Sequence, residues 1–351
     1  MFHAIKNIDG LSDLGTGVTV EAMRHRDPYC GVLEQYPANP PGSDRVTTPI
    51  AVAPSQRMPG GAPRPRTQAG WRERVSRVPG IKLGPSKARL YELQLRDRIR
   101  ASVDTVFPVA VFNLKGDVGT TTVVEALGST FADVRGDRVI AVDLDAGDLA
   151  DRHGGRSPLD LFDLVTDRAA TRYLDVRAHT HMNASGLEVL GAGNGGQRAR
   201  RVERDDFAKA FEKLRHHYSV VLTDCGKTFK SGLVTAALRR SRAIVVVSSA
   251  AIDAITRTRT TLDWLRNNGY QYLLESMVLA VNQTEAGAPD AAVGTELEKI
   301  SRQFPAARFV ALPFDRHLAE DRGLMLERLS KDSRRGYLEL AAALAELYPA
   351  V

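Results

Sequence analysis

The sequence predicts a three-layer α/β domain, a mostly parallel sheet with helices on both faces, carried behind a Pro/Arg-rich leader. Three observations carry that expectation. From Pro85 onward, short apolar runs rich in Val, Ile and Leu alternate with segments of helical spacing, the pattern of parallel strands joined by right-handed crossovers. A β-rich run, Val109 to Leu114, passes through a Gly-punctuated turn into the helical spacing of Val123 to Leu127. Of the 17 prolines, 11 fall before residue 100, so the chain changes character there.

The chain of 351 residues is long for one ordinary domain. It divides on composition into a disordered leader over 1–84, a linker helix over 85–104 and an α/β domain over 105–351. In the leader, Pro37, Pro40, Pro41, Pro49, Pro54, Pro59, Pro63 and Pro65 stand among Gly, Ala and Arg. Such a segment buries too little apolar surface to offset the entropy of ordering it. Charge is equally uneven. Residues 56–100 hold 12 Lys/Arg against three Asp/Glu, a balance of +9, whereas the whole chain carries +6. The rest therefore sums to −3. A basic segment led by Arg64, Arg66, Arg72, Arg74 and Arg77 attracts nucleic acid, an anionic lipid face or an acidic partner; it also makes a self-repelling, soluble tether. Cys30 and Cys225 are the sole cysteines, too few and too far apart for a disulfide framework. The start, Met1 to Asn7, lacks the basic and apolar regions of a signal peptide, and no run of about twenty apolar residues is present. Together these point to a cytoplasmic protein.

Taken in order, Tyr91, Leu95, Ile99 and Val103 recur at four-residue spacing and predict a helix that opens near Pro85 and either packs on the domain or binds a partner. The first strand is Val109 to Leu114 and the second lies within Arg138 to Leu144. Pro158 to Val165 reads as a short helix, Leu187 to Leu190 as a strand, and Phe207, Ala210, Phe211 and Leu214 as a helix face. Tyr218 to Leu222, Ala243 to Val247, Met277 to Val281 and Phe309 to Leu312 are the remaining strands. Ile252, Ile255, Leu262 and Leu265 share one helix face, and Tyr337, Leu340, Leu344 and Leu347 form the stripe of a closing helix.

In an open parallel sheet, ligands bind beyond the carboxyl ends of the strands. Five features of this chain fall there: the turn Lys115 to Thr122, Asp143 with Asp145, Asp224, Asn282, and Pro313 to Asp315. A Gly-punctuated turn that opens a helix gathers backbone N–H groups around an anion. The turn resembles the variant P-loop of the MinD/ParA class of P-loop NTPases, Lys-Gly-Gly-x-Gly-Lys-Thr-Thr, in which a lysine precedes the first glycine. The lead-in from Trp71, Thr223 to Gly226, Asp263 to Tyr270 and Pro313 to His317 are similar to the actinobacterial EspI-type proteins of that class, which are associated with type VII (ESX) secretion. The resemblance covers roughly Trp71 to Leu347. It implies a P-loop NTPase fold, ATP and Mg2+ as cofactors, a sandwich homodimer, and type VII secretion components as partners. Lys115, Gly116, Val118, Gly119, Thr120, Thr121 and Thr122 would contact nucleotide, with Asn282 reading adenine and Pro313 and Asp315 beside the base. Thr121, Asp143 and Asp224 would serve the metal, Asp145 would position water, and Lys115 would reach across the dimer.

The chain departs from the pattern twice. Asp117 stands where the family has its second glycine, and Thr120 where it has the phosphate-binding lysine. If Asp117 faces the triphosphate from about 4 Å, it opposes binding by about 4 kcal/mol at an effective dielectric near 20, roughly a thousandfold in affinity; if it points to solvent instead, Thr121 keeps a weak nucleotide site. The expected function is therefore an accessory or regulatory protein of a secretion system with weak or lost ATP hydrolysis. The alternatives are an active ATP-dependent dimerisation switch and a ParA-like, nucleoid-binding protein that uses the basic segment.

Overall fold

The computed structural model describes residues 86–114, 116–144, 148–153, 157–192, 202–226, 232–287, 290–305, 308–320 and 323–349. The expected leader, Lys115 and Asp145 lie outside the described residues. Eight strands run in the order β3-β4-β2-β5-β1-β6-β7-β8, where β1 is Phe107–Phe112, β2 Val139–Asp143, β3 His181–Met182, β4 Leu187–Leu190, β5 Val220–Asp224, β6 Ala243–Ser249, β7 Met277–Asn282 and β8 Phe309–Leu312. All neighbours pair in parallel except β3 with β4. The helices are α1 Lys87–Ile99, α2 Thr120–Arg135, α3 Asp148–Arg152, α4 Leu161–Thr166, α5 Tyr173–Arg177, α6 Arg204–Leu214, α7 Gly232–Arg240, α8 Ile252–Asn267, α9 Gln271–Leu274, α10 Ala291–Ser301, α11 Arg316–Ala319 and α12 Lys331–Ala345.

Because the central strands β1, β2, β5, β6 and β7 are buried along their whole length, they read as continuous apolar runs rather than as alternating ones. Two cores result. Val109, Val111, Val139, Leu222 and Val245 face α1, α2 and α12, while Ala110, Phe112, Ile140, Val221 and Ile244 face α6, α7, α8 and α10. Gly128 lets α2 lie close to the sheet, since a Cβ there would sit 2.8 Å from Leu187 Cδ1.

Several boundaries differ from the sequence expectation, each for a local reason. The first strand starts two residues earlier and ends at Phe112, because Asn113 turns its side chain to α8. The fifth begins at Val220, after Tyr218 has sent its hydroxyl to Glu188. The helix expected from Pro158 starts at Leu161, where Asp160 and Asp163 form a reciprocal capping box. Helix α1 ends at Ile99, so Val103 packs against the core from the following loop. Ile252 is 47% exposed at the first turn of α8, outside the buried face of Ile255, Leu262 and Leu265. Leu347 lies beyond the end of α12, half-buried. The antiparallel β3 is two residues long and has no periodic signal.

Helix α1 is docked on α2 and α12. Leu95 and Ile99 are buried, Arg98 pairs with Glu346 at 2.8 Å, and Arg135 donates to the Ile99 carbonyl at 2.7 Å.

Candidate nucleotide site

The strand order reverses about β1, which carries the loop, so the crevice of an α/β sheet opens above β1 and its neighbours β5 and β6. In register, Val111 lies opposite Asp224, and Asp224 opposite Asp143. The two carboxylates thus end adjacent strands beside the loop, and both are fully buried.

The loop backbone keeps a glycine's shape. Asp117 has φ +65°, in the left-handed region, and Gly119 has φ +78°. Aspartate tolerates that region better than most side chains, at a cost of order 1 kcal/mol relative to glycine. The Asp117 side chain is exposed. Gly119 precedes α2, whose N-terminus has no side-chain cap, and Thr120, Thr121 and Thr122 form its first turn. Such a helix start directs N–H groups and the positive end of its dipole outward.

The loop and the helix it opens are anchored by contacts at the end of β1, in the loop itself and on α2. Asn113 accepts a hydrogen bond from Thr261 Oγ1 at 3.1 Å and donates to the Val247 carbonyl, tying the end of β1 to α8 and β6. Asn282 Nδ2 donates to the Val118 carbonyl at 3.0 Å. Buried Glu125, one turn into α2, faces Arg152 Nε at 3.4 Å and His153 Nδ1 at 3.7 Å on α3 and the residue after it. Arg152 also donates to the Leu318 carbonyl of α11. None of these anchors except Asn282 was singled out in the sequence.

Of the other expected site residues, Asp143 Oδ2 accepts from the N–H groups of Leu149 and Ala150 at 3.0 and 3.3 Å and so fixes the start of α3. Asp224 Oδ1 accepts from Gly226 N at 3.2 Å. Pro313 is half-buried after β8, against α12. Asp315 is buried and caps α11 by accepting from His317 N at 2.9 Å, while its other oxygen accepts from Ser330 N at 2.8 Å. Among the described residues no cluster of His, Cys, Asp and Glu is arranged to hold a metal ion by itself.

Two consequences are testable here. A Cβ on Gly119 would lie 2.4 Å from Asn282 Nδ2 in a backbone conformation that side chains rarely adopt. Gly119→Ala is expected to lower stability by about 1–3 kcal/mol, read from the midpoint of urea unfolding; an unchanged midpoint would contradict the close approach. For Asp315, burial raises the carboxyl pKa, but the hydrogen bonds from Ser330, Ser333 and His317 outweigh it and the net shift is downward. A folded pKa below the unfolded one gives stability that is full above about pH 4 and fades as pH falls through the folded value. Asp315→Asn is therefore expected to lower the midpoint at pH 6 and to differ least from the parent near pH 2. A deficit that stays constant between those pH values would contradict this.

Comparison with known proteins places the chain. The family described as cellulose biosynthesis protein BcsQ matches residues 107–268. Among solved structures, a ParA family ATPase from Chlorobium tepidum superposes with TM-score 0.55 at 14% identity, covering 67% of this chain and 98% of that one. The cell division ATPase MinD of Pyrococcus furiosus does so with TM-score 0.53 at 19% identity, covering 69% and 99%. These show the fold. The ESX-1 secretion-associated protein EspI of Mycobacterium tuberculosis, in strains H37Rv and CDC 1551, is 39% identical over 282 residues, or 80% of this chain. The chain is a MinD/ParA-like protein of the EspI type. It spans 42% of the length of those EspI relatives. Within this EspI-type chain the ParA-like sheet accounts for the strand-end position of Asp143, Asp224 and Asn282, and no described helix is long and apolar enough to cross a membrane.

Proposed function

We propose that this chain is the MinD/ParA-like part of a protein associated with an ESX, or type VII, secretion system, where it acts as an accessory or regulatory component through protein contacts. Its nucleotide site is impaired. The likeness to EspI supports the association. The observation that carries the impaired site is Asp117 at φ +65°, a carboxylate in the backbone position of the family's second glycine, together with Thr120 as the first residue of α2 in place of lysine.

The cradle fits a phosphate in shape. The uncapped start of α2 and the left-handed turns at positions 117 and 119 supply N–H groups, while Thr121 and Asp224 would hold magnesium and Pro313 would border the base. In charge it fits a triphosphate poorly. Bound Mg2+ supplies neutralisation of the transferred phosphoryl group, and most remaining catalysis in this class is electrostatic stabilisation. In this chain Thr120 brings no cation and Asp117 brings an anion. Membrane recruitment then rests on partners, and nucleotide-driven dimerisation is weak.

Two measurements test the reading. The purified chain with Mg·ATP is expected to release phosphate no faster than a variant with Thr121→Ala and Asp224→Asn; turnover well above that variant would overturn the impaired site. Pull-down from native cells is expected to recover secretion-system components, and their consistent absence would overturn the association.

A further inference from the structure

The strand β8 ends the sheet, and beside it a groove of about 610 Å3 opens between α10 and α12. Its apolar lining includes Leu297, Phe309, Ala311 and Pro313, and its charged lining consists of Glu298, Asp332, Glu339 and Arg335. Phe309 is only half-buried and Ala311 is exposed, although both belong to a strand of the sheet. An uncovered apolar edge of this kind is a liability that natural proteins cover. The charges sum to −2, three carboxylates against one guanidinium.

The chain itself arrives at this groove. Ser86 caps α1, and Tyr91, little more than one turn along, lies under the Arg335 guanidinium at 5.0 Å from its ring centroid. Burial and then the Glu339 carboxylate raise the Tyr91 pKa, and Arg335 and Glu339, the two α12 residues beside Tyr91, both line the groove. Residues 70–85 precede Ser86 directly. They carry Arg72, Arg74, Arg77 and Lys82 against Glu73, a balance of +3, and between them Trp71, Val75, Val78, Ile81 and Leu83. Ile81-Lys82-Leu83 alternates apolar and basic, as a segment with one side on an apolar floor and the other facing carboxylates requires. Sixteen residues reach up to about 50 Å when extended, ample for the distance.

We propose that residues 70–85 dock back into this groove, with Ile81 and Leu83 on the apolar floor and the basic side chains against Glu298, Asp332 and Glu339. The basic segment is then an intramolecular strap over the sheet edge. Gln283 and Pro313, which follow Asn282 and β8 directly in the chain, are among the residues that line the groove.

The test uses the full chain with a photo-reactive benzoylphenylalanine in place of Phe309. Illumination is expected to give a product of monomer mass whose cross-linked peptides come from residues 70–85. A product of twice that mass, which would mean a second copy in the groove, cross-links to other segments, or no cross-link would each overturn the proposal. A second measurement avoids reliance on one probe. Ile81→Glu with Leu83→Glu in the full chain is expected to speed amide hydrogen exchange in β8 by at least about tenfold. Unchanged exchange there would overturn it equally.

Discussion

Asp117→Gly combined with Thr120→Lys is expected to tighten Mg·ATP binding by roughly ten- to a thousandfold. The range reflects where the charge sits. Asp117 is exposed, so its repulsion of a triphosphate is screened more than the estimate at dielectric 20 allows, whereas a lysine at position 120 would stand on the first turn of α2 beside the cradle. The glycine also removes a left-handed side-chain conformation and should stabilise the protein by up to about 1 kcal/mol independently of nucleotide. The two substitutions act on one anion, so their effects need not add, and a double-mutant cycle by isothermal titration separates them. No gain in affinity from the pair would contradict the electrostatic account.

Glu188→Ala is expected to cost about 3–5 kcal/mol of stability, the largest effect of a single substitution foreseen here. Glu188 is buried in β4 and accepts from Tyr173 Oη, Tyr218 Oη and Thr180 Oγ1, each at 2.7 Å, with Arg177 Nε at 3.7 Å. Burial and the adjacent carboxylate push the Tyr218 hydroxyl pKa up, which favours the protonated, donating form. Truncation strands a partly buried guanidinium and the hydroxyls together, each with a desolvation penalty of its own. Equilibrium urea unfolding at pH 7 reads the loss. A change below about 1 kcal/mol would mean that water replaces the carboxylate, contrary to the buried network described.

How much of this was legible in the sequence depends on the range of the interactions. The central strands were legible because burial on both faces turns them into unbroken Val/Ile/Leu runs, and their ends fall at Asp143, Asp224 and Asn282 as the resemblance implied. The turn at Lys115 to Thr122 was legible because its glycines punctuate the text, and Gly119 does adopt a positive φ. Contacts between distant segments were not. Asn113 meets Thr261 across 148 positions, and Glu125 meets Arg152 through a fold no local pattern encodes. Glu188 stands in an apolar strand with no neighbour in sequence to announce its three hydroxyl donors. Asn282 shows how a correct position leaves contacts open: its strand-end place was expected, but its amide nitrogen donates to the loop carbonyl of Val118. Asp143 likewise stands where expected and also secures α3.

In the proposed reading, this cradle keeps the backbone form of a phosphate site and Lys115, but carries a carboxylate at position 117 and no cation at position 120. Titration of the chain with a fluorescent ATP analogue, with and without magnesium, tests it most directly. Half-saturation is expected above about 100 μM, a binding free energy weaker than roughly −5.5 kcal/mol, with little response to magnesium. Saturable, magnesium-dependent binding in the low micromolar range would contradict the claim.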